Sequence, residues 1–173
     1  MERFISIIIP LPDLEYYIQD YRFKYDFFAK KGIPVHITFI YKISTKIYYE
    51  NKDKIKNILT NILKILKKNK ITLDKIIENK FLLAIGMQKD DQDLINKLQK
   101  KFIDFLNIKN NKYNNDNFKP HITIFTGKDN PGWNNALFIK QNLKNIFSLK
   151  INIKKLWILE IDSHGANIID IIP

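Results

Sequence analysis

Two short stretches of this 173-residue chain repeat one four-residue frame of histidine, isoleucine, threonine and a large apolar residue. The first is HITF at 36–39 and the second is HITI at 121–124, 85 positions later, in a chain with only three histidines. Side chains alternate between the two faces of a β-strand. If both frames are strands, His36 projects with Thr38 and His121 projects with Thr123. The spacing predicts an imidazole and a hydroxyl from each strand at one shared site.

Two imidazoles and two hydroxyls can together cleave a phosphodiester without a metal ion. The reaction requires a base for the attacking oxygen, an acid for the leaving oxygen, and hydrogen-bond donors for the non-bridging oxygens. Imidazole titrates near pH 6.5, so one ring can be neutral while the other is protonated, which predicts a bell-shaped pH profile. Threonine hydroxyls donate to phosphate oxygens without adding charge. These residue types therefore favour acid-base chemistry at phosphorus.

Alternating strand and helix patterns surround the two frames and must position them. Apolar runs ended by Gly, Pro or Asn predict strands, and apolar residues at three- and four-residue spacing predict helices. The predicted strands are 3–12, 34–43, two within 71–87, 118–127, 151–162 and 166–173, and the predicted helices are 13–31, 51–69, 90–106 and 134–147. The Asn-rich stretch 107–117 reads as a loop. The pattern predicts an α+β protein of two comparable halves, each with one His-x-Thr strand.

The composition limits the possible function classes. Apolar residues make up 45% of the chain, and we expect residues 1–173 to form a single bilobal domain. Cysteine is absent, which excludes disulfides, thiolate nucleophiles and Cys-ligated zinc, and the histidines lack carboxylates at ligand spacing. No run of about 18 uncharged apolar residues predicts a membrane span. We therefore expect a cytoplasmic protein without a cofactor or a metal.

The formal net charge of +11 favours a polyanionic partner. A second explanation is also open. Of the 29 basic residues only Arg3 and Arg22 are arginines, and lysine, isoleucine and asparagine share A/T-rich codons. The lysines could therefore reflect genome composition instead of selection for phosphate binding, which usually favours arginine.

The two frames resemble the paired His-x-Thr-hydrophobic motifs of the 2H phosphoesterase superfamily, which includes 2′-5′ RNA ligase-like proteins. RFISIIIPLP at 3–12 is similar to the first strand of that group, and a proline precedes each motif. The resemblance implies two antiparallel sheets with outer helices around a central groove, related by a pseudo-twofold axis. It implies metal-independent catalysis in which His36, Thr38, His121 and Thr123 are the catalytic residues. The arginine that many members carry shortly after each motif is absent from this chain.

We predict a phosphodiesterase that cleaves a 2′-linked or cyclic phosphodiester. The expected partners are a nucleotide, a cyclic oligonucleotide or a short RNA, bound by a monomer that does not contact membranes. If the source is viral, the protein acts in the host cytoplasm, and removal of a host nucleotide second messenger is a further hypothesis. Two alternatives remain open: a non-catalytic nucleotide- or RNA-binding module with the same groove, and a basic RNA-binding protein with coincidental motifs.

Further residues near the motifs are weaker candidates for substrate binding. By alternation Phe125 lies on the face of His121 and Thr123, where it would line the groove or fill the core beneath it. Tyr41 lies on the opposite face unless the strand bulges. The remaining candidates are Tyr113 in the Asn-rich loop, as a possible lid residue, and the flanking Lys42, Lys119 and Lys128. His164, in the turn DSHG, reads as a solvated turn residue.

Overall fold

A computed structural model describes residues 3–108 and 118–173 of the chain, which form eight strands and six α-helices. The strands are β1 (Phe4–Pro10), β2 (His36–Ser44), β3 (Lys70–Asn79), β4 (Leu82–Met87), β5 (Ile122–Thr126), β6 (Lys150–Asn152), β7 (Leu156–Ile161) and β8 (Ala166–Ile172). The helices are α1 (Glu15–Tyr25), α2 (Phe27–Lys30), α3 (Thr45–Glu50), α4 (Lys52–Leu66), α5 (Lys89–Phe105) and α6 (Ala136–Leu143). Every strand pair is antiparallel, in agreement with the α+β prediction.

The strands form one sheet in the order β6-β3-β4-β5-β2-β1-β7-β8. The expectation of two separate sheets is therefore not confirmed. The sheet nevertheless has two four-stranded parts, because β5 and β2 share only the residue pair Ile37 and Ile122. The two strands that carry the His-x-Thr frames are thus neighbours at the centre of the sheet.

Hydrophobic periodicity explains the helices that cover the sheet. The buried face of α4 consists of the six residues that the sequence pattern singles out, Ile55, Ile58, Leu59, Ile62, Leu63 and Leu66. This helix packs on β8, while α5 contacts β2 and β3, and α1 contacts β5 and α6. Their apolar faces join one large cluster of buried side chains with the strands. In the described ranges, 3–108 and 118–173, no helix is long and apolar enough to cross a membrane.

The parts of the sheet do not follow the order of the chain. The last two strands, β7 and β8, return to pair beside β1. The four-stranded part made of β2, β1, β7 and β8 therefore holds both ends of the described chain. The predicted helix 13–31 is divided at Asp26, whose backbone is extended and whose side chain caps α2. The predicted strand 151–162 is divided into β6, at one edge of the sheet, and β7, which lies beside the strand at the opposite edge. Local periodicity could not reveal the division of 151–162, since it depends on the distant strands β3 and β1.

Candidate active site

The pairing of β2 with β5 arranges the two His-x-Thr frames around one point. Ile37 pairs antiparallel with Ile122. If this register is continued by one residue on each side, His36 lies opposite Thr123 and Thr38 lies opposite His121. In that register each histidine would have the threonine of the other frame beside it, which is a local pseudo-twofold arrangement. Ile37 and Ile122 are fully buried, so the other face of each strand is anchored in the core.

The same hydrogen bond orients both imidazole rings. Nδ1 of His36 lies 2.8 Å from the carbonyl oxygen of Pro34, and Nδ1 of His121 lies 2.7 Å from that of Lys119. A carbonyl oxygen can only accept a hydrogen bond, so the ring donates through Nδ1. In a neutral ring the lone pair is then on Nε2, and in a protonated ring Nε2 donates. Each histidine can therefore exchange a proton through Nε2.

A β-bulge in β2 places Tyr41 on the face of His36 and Thr38. Ile7 pairs with Ile40 and Ile8 pairs with Thr38, so β2 contains one residue more than β1 over this interval. The extra residue breaks the alternation: Phe39 and Ile40 are both buried, and Tyr41 returns to the other face. Strand alternation alone would place Tyr41 on the opposite face unless the strand bulges, and the bulge is present.

Two buried polar side chains stabilise this bulge. The hydroxyl of Ser6 donates to the carbonyl oxygen of Ile40 at 2.9 Å, and Nε2 of Gln99 donates to that of Phe39 at 2.8 Å. Both side chains are almost completely buried. Irregular backbone leaves carbonyl groups that need other partners, and these residues supply them from β1 and α5. The bulge is therefore a fixed feature of the site.

A matching bulge in β5 moves Phe125 into the core. Leu83 pairs with Phe125 and Ala84 with Thr123, so β5 also contains one extra residue. Phe125 is fully buried and makes edge contacts with Tyr25 and Trp133, at ring-centroid distances of 5.9 and 4.9 Å. Its assignment to substrate binding is corrected by this placement, because the bulge interrupts the alternation on which that assignment rested.

The cavity beside the two strands has a volume of about 110 Å³. Its polar wall comes from both frames and from helix α1, and its apolar wall comes from β1, β7 and the segment around α2. The lining residues are Ser6, Ile8, Arg22, Asp26, Phe28, Ile33, His36, Thr38, Tyr41, Thr123, Thr126, Leu159 and Ile161. The structure thus brings His36, Thr38 and Thr123 into one cavity, with His121 adjacent by register.

Residues 10–165 match the family model described as the 2′-5′ RNA ligase superfamily. The chain belongs to this superfamily. The 2′-5′ RNA ligase superfamily is part of the 2H phosphoesterases, in agreement with the resemblance of the two motifs, and membership indicates a 2H phosphoesterase-type activity. No curated protein matches the sequence significantly.

The electrostatic environments of the two histidines in this 2′-5′ RNA ligase superfamily protein differ. Burial, followed by the positive charge of Arg22, lowers the pKa of His36 from 6.5 to about 4, although the bond to Pro34 opposes the shift. The charge of His121 lowers this pKa further, so the two rings interact. Burial also lowers the pKa of His121, against the bond to Lys119. Burial therefore lowers the pKa of both rings, whereas the charge of Arg22 is a cause of the shift at His36 and not at His121.

The other candidate residues lie around this superfamily site at varying distance. Lys42 is exposed, with Nζ 5.9 Å from the ring centroid of Phe4, and Lys119 is exposed beside its bond to His121. Lys128 lines a separate shallow hollow with Trp133. Tyr113 lies outside the described residues. His164 lies in a turn whose amide groups at 164 and 165 donate to Asp162, as the sequence pattern predicts.

Arg22, Asp26 and Thr126 line the cavity but were not singled out from the sequence. The sequence does contain a pattern that points to Thr126, because Thr126 follows Thr123 at the same spacing as Tyr41 follows Thr38. Arg22 and Asp26 have the i,i+4 spacing of a helical ion pair, which normally indicates an exposed pair. Across 3–108 and 118–173 no group of three or more His, Cys, Asp or Glu side chains is placed to hold a metal ion.

Proposed function

We propose that this protein is a metal-independent phosphodiesterase that cleaves a 2′-linked or cyclic phosphodiester in a nucleotide or a short oligonucleotide. One observation carries the proposal: Ile37 pairs antiparallel with Ile122, and this register, continued by one residue on each side, would set each histidine beside the threonine of the other frame. A phosphate at this point would meet an imidazole Nε2 and a hydroxyl from each side. This arrangement matches the in-line geometry of a displacement, with the attacking and leaving oxygens on opposite sides of phosphorus.

The proposed reaction opens a cyclic phosphate by attack of water. One imidazole Nε2 takes a proton from the water as its oxygen bonds to phosphorus. The bond from phosphorus to the ribose 2′ or 3′ oxygen then breaks, and the other imidazolium donates its Nε2 proton to that oxygen. The hydroxyls of Thr38 and Thr123 donate to the non-bridging oxygens as charge builds on them. In a 2′-5′ or 3′-5′ linkage a neighbouring ribose hydroxyl replaces the water.

The remaining lining gives a place for the nucleoside. Tyr41, Phe28 and Ile33 provide apolar surface next to the phosphate position. An aromatic ring beside such a position suits base stacking, which is tolerant of the base identity. We propose that Tyr41 contributes to base binding, whereas Lys128 would act only on a substrate long enough to leave the cavity.

The test is product analysis in EDTA with three substrate types: RNA 2′,3′-cyclic phosphate, 2′-5′ oligoadenylate and cyclic di- and trinucleotides. We expect turnover of at least one type, and His36→Ala and His121→Ala should each slow it by about 10² or more. His164→Ala is the matched control, since it removes the third histidine from an exposed turn, and it should leave the rate within about twofold.

Two results would contradict the proposal. Tight binding of a nucleotide without turnover would make the site a nucleotide-binding module. Turnover that survives both histidine substitutions would place the chemistry elsewhere in the molecule.

A further inference from the structure

Arg22 is the largest fully buried polar side chain of the described residues. It lies in the last turn of α1, where Nη2 is 2.7 Å from Oδ2 of Asp26 and Nη1 donates to the carbonyl oxygen of Ile33 at 3.3 Å. Asp26 is also buried, and its Oδ1 accepts from the amide of Phe28 at the start of α2. The ion pair therefore ties the end of α1 to the segment that leads into the His36 strand.

Stability alone does not explain this ion pair. Removing two charges from water has a cost that their attraction often does not recover, and apolar replacements of buried pairs can be neutral or stabilising. The pair is also incompletely satisfied, since Nε of Arg22 is buried with no hydrogen-bond partner among the described residues. Both side chains line the cavity that contains His36. Their position against the acid-base groups suggests a role in the reaction.

Arg22 breaks the pseudo-twofold symmetry of the site. The two frames offer similar rings, hydrogen bonds and bulges, but Arg22 lines the cavity together with His36, whereas His121 is not among the residues that line it. The charge of the guanidinium opposes protonation of the His36 ring. The other groups toward His36 are Asp26 from the α1–α2 junction, His121 from the β5 side and Tyr41 from its own strand. Strands β1 and β7 contribute only uncharged side chains to this cavity.

We propose that Arg22 is a positioning residue that makes the two histidines unequal, so that His36 stays neutral and acts as the base while His121 carries the proton and acts as the acid. The proposal rests on the proposed function and assigns the roles within it. His36 Nε2 takes the proton of the attacking water or hydroxyl, and His121 Nε2 returns a proton to the leaving oxygen.

The opposite assignment would use a rare protonation state. It requires His36 to be protonated while His121 is neutral, although the Arg22 charge disfavours a proton on His36. Each unit of difference between the two pKa values makes that state tenfold rarer than the state with the proton on His121. An enzyme that used the opposite roles would have only that smaller fraction of its molecules in the reactive protonation state.

The test is an NMR titration of the histidine rings in the intact protein, assigned by single substitution, with His164 as the internal reference. The first variant is Arg22→Gln combined with Asp26→Asn, which removes both charges and keeps groups that can hydrogen-bond. We expect the pKa of His36 to rise by roughly one unit, equal to a tenfold gain in proton affinity, and the pKa of His121 to change less. Arg22→Lys retains a positive charge and should keep His36 close to its wild-type titration.

A second neutral pair, Arg22→Met with Asp26→Leu, is made so that the result does not depend on one variant folding. Asp26→Asn alone should move His36 in the opposite direction, because it leaves the Arg22 charge unbalanced. A purely structural ion pair predicts that all disrupting variants shift His36 in the same direction. That outcome, or an unchanged His36 in a folded neutral pair, would overturn the proposal.

Kinetics separate the failure of this proposal from failure of the proposed function. The acidic limb of kcat/KM reports the base in the free enzyme, so it should move to higher pH in the neutral-pair variant and not in Arg22→Lys. Turnover with an unmoved limb would contradict the role of Arg22 and leave the phosphodiesterase in place. The NMR order of the two histidines can be measured even if no substrate is turned over.

Discussion

Lowering the pH from 8 to 5 should destabilise this protein, and part of the loss should come from His36. The pKa of this ring is about 4 in the folded chain and 6.5 for a histidine without interacting neighbours, as in the unfolded chain. Between these two pH values the unfolded state binds the proton and the folded state does not. At pH 8 both states are neutral and the ring has no effect. As the pH falls through 6.5 the unfolded state gains a proton, and stability decreases until the pH reaches about 4.

The expected magnitude follows from the pKa of His36. At pH 5 the unfolded ring is 1.5 pH units below its value of 6.5, which corresponds to about 2 kcal/mol in the free energy of unfolding. With a urea m-value of about 2 kcal/mol per molar, this corresponds to about 1 M in the denaturation midpoint.

Urea denaturation of wild type and His36→Gln at pH 5, 6, 7 and 8 isolates this contribution from all other titrating groups. Glutamine cannot titrate, so the variant should gain about 2 kcal/mol relative to wild type between pH 8 and pH 5. His164→Gln is the matched control, because it removes an imidazole from an exposed turn. If the difference between wild type and His36→Gln stays constant to within a few tenths of a kcal/mol, or follows that of His164→Gln, the ring is not held neutral by burial and Arg22.

Three further predictions concern the two bulges. Ser6→Ala leaves the buried carbonyl of Ile40 without its hydroxyl donor and should cost about 1–3 kcal/mol in urea denaturation; a cost near zero would mean that the bulge does not depend on Ser6. Phe125→Ala removes the ring between Tyr25 and Trp133 and should cost about 3–5 kcal/mol; a surface-like cost below about 1 kcal/mol would contradict its place in the core. Lys42 lies next to the bulge with a φ of +62°, a left-handed backbone conformation that is strained for residues other than glycine. Lys42→Gly should therefore be neutral or slightly stabilising, whereas Lys42→Val should lower the melting temperature. Equal melting temperatures for the two variants would contradict backbone strain at this position.

The sequence could predict the features that depend on neighbouring residues. The apolar face of α4 follows from three- and four-residue spacing, and the side-by-side projection of His36 with Thr38 follows from strand alternation. The β3–β4 hairpin was also predictable, because its two apolar runs meet at Asn79-Lys80. In the structure Asn79 is the last residue of β3, and its side-chain oxygen accepts a hydrogen bond from the amide of Phe81 in the turn.

The features that break local periodicity could not be predicted in this way. Tyr41 and Phe125 change face because β2 has an extra residue between Thr38 and Ile40 and β5 has one between Thr123 and Phe125. The β2 bulge is held by Ser6 and Gln99, which are 34 and 60 residues from their acceptors. Periodicity carries no information about such distant donors. The return of β7 and β8 beside β1 is likewise a pairing of segments more than 140 residues apart.

The sequence by itself therefore determined that two His-x-Thr strands would each present an imidazole and a hydroxyl, since alternation is a local property of the backbone. Only the tertiary structure decided how these groups differ. The pairing of Ile37 with Ile122 sets their relative register, and α1, packed against β5, contributes the buried Arg22–Asp26 pair to the cavity that His36 lines. Charge acts through space and not along the chain, so the inequality of the two histidines appears only once the chain has folded.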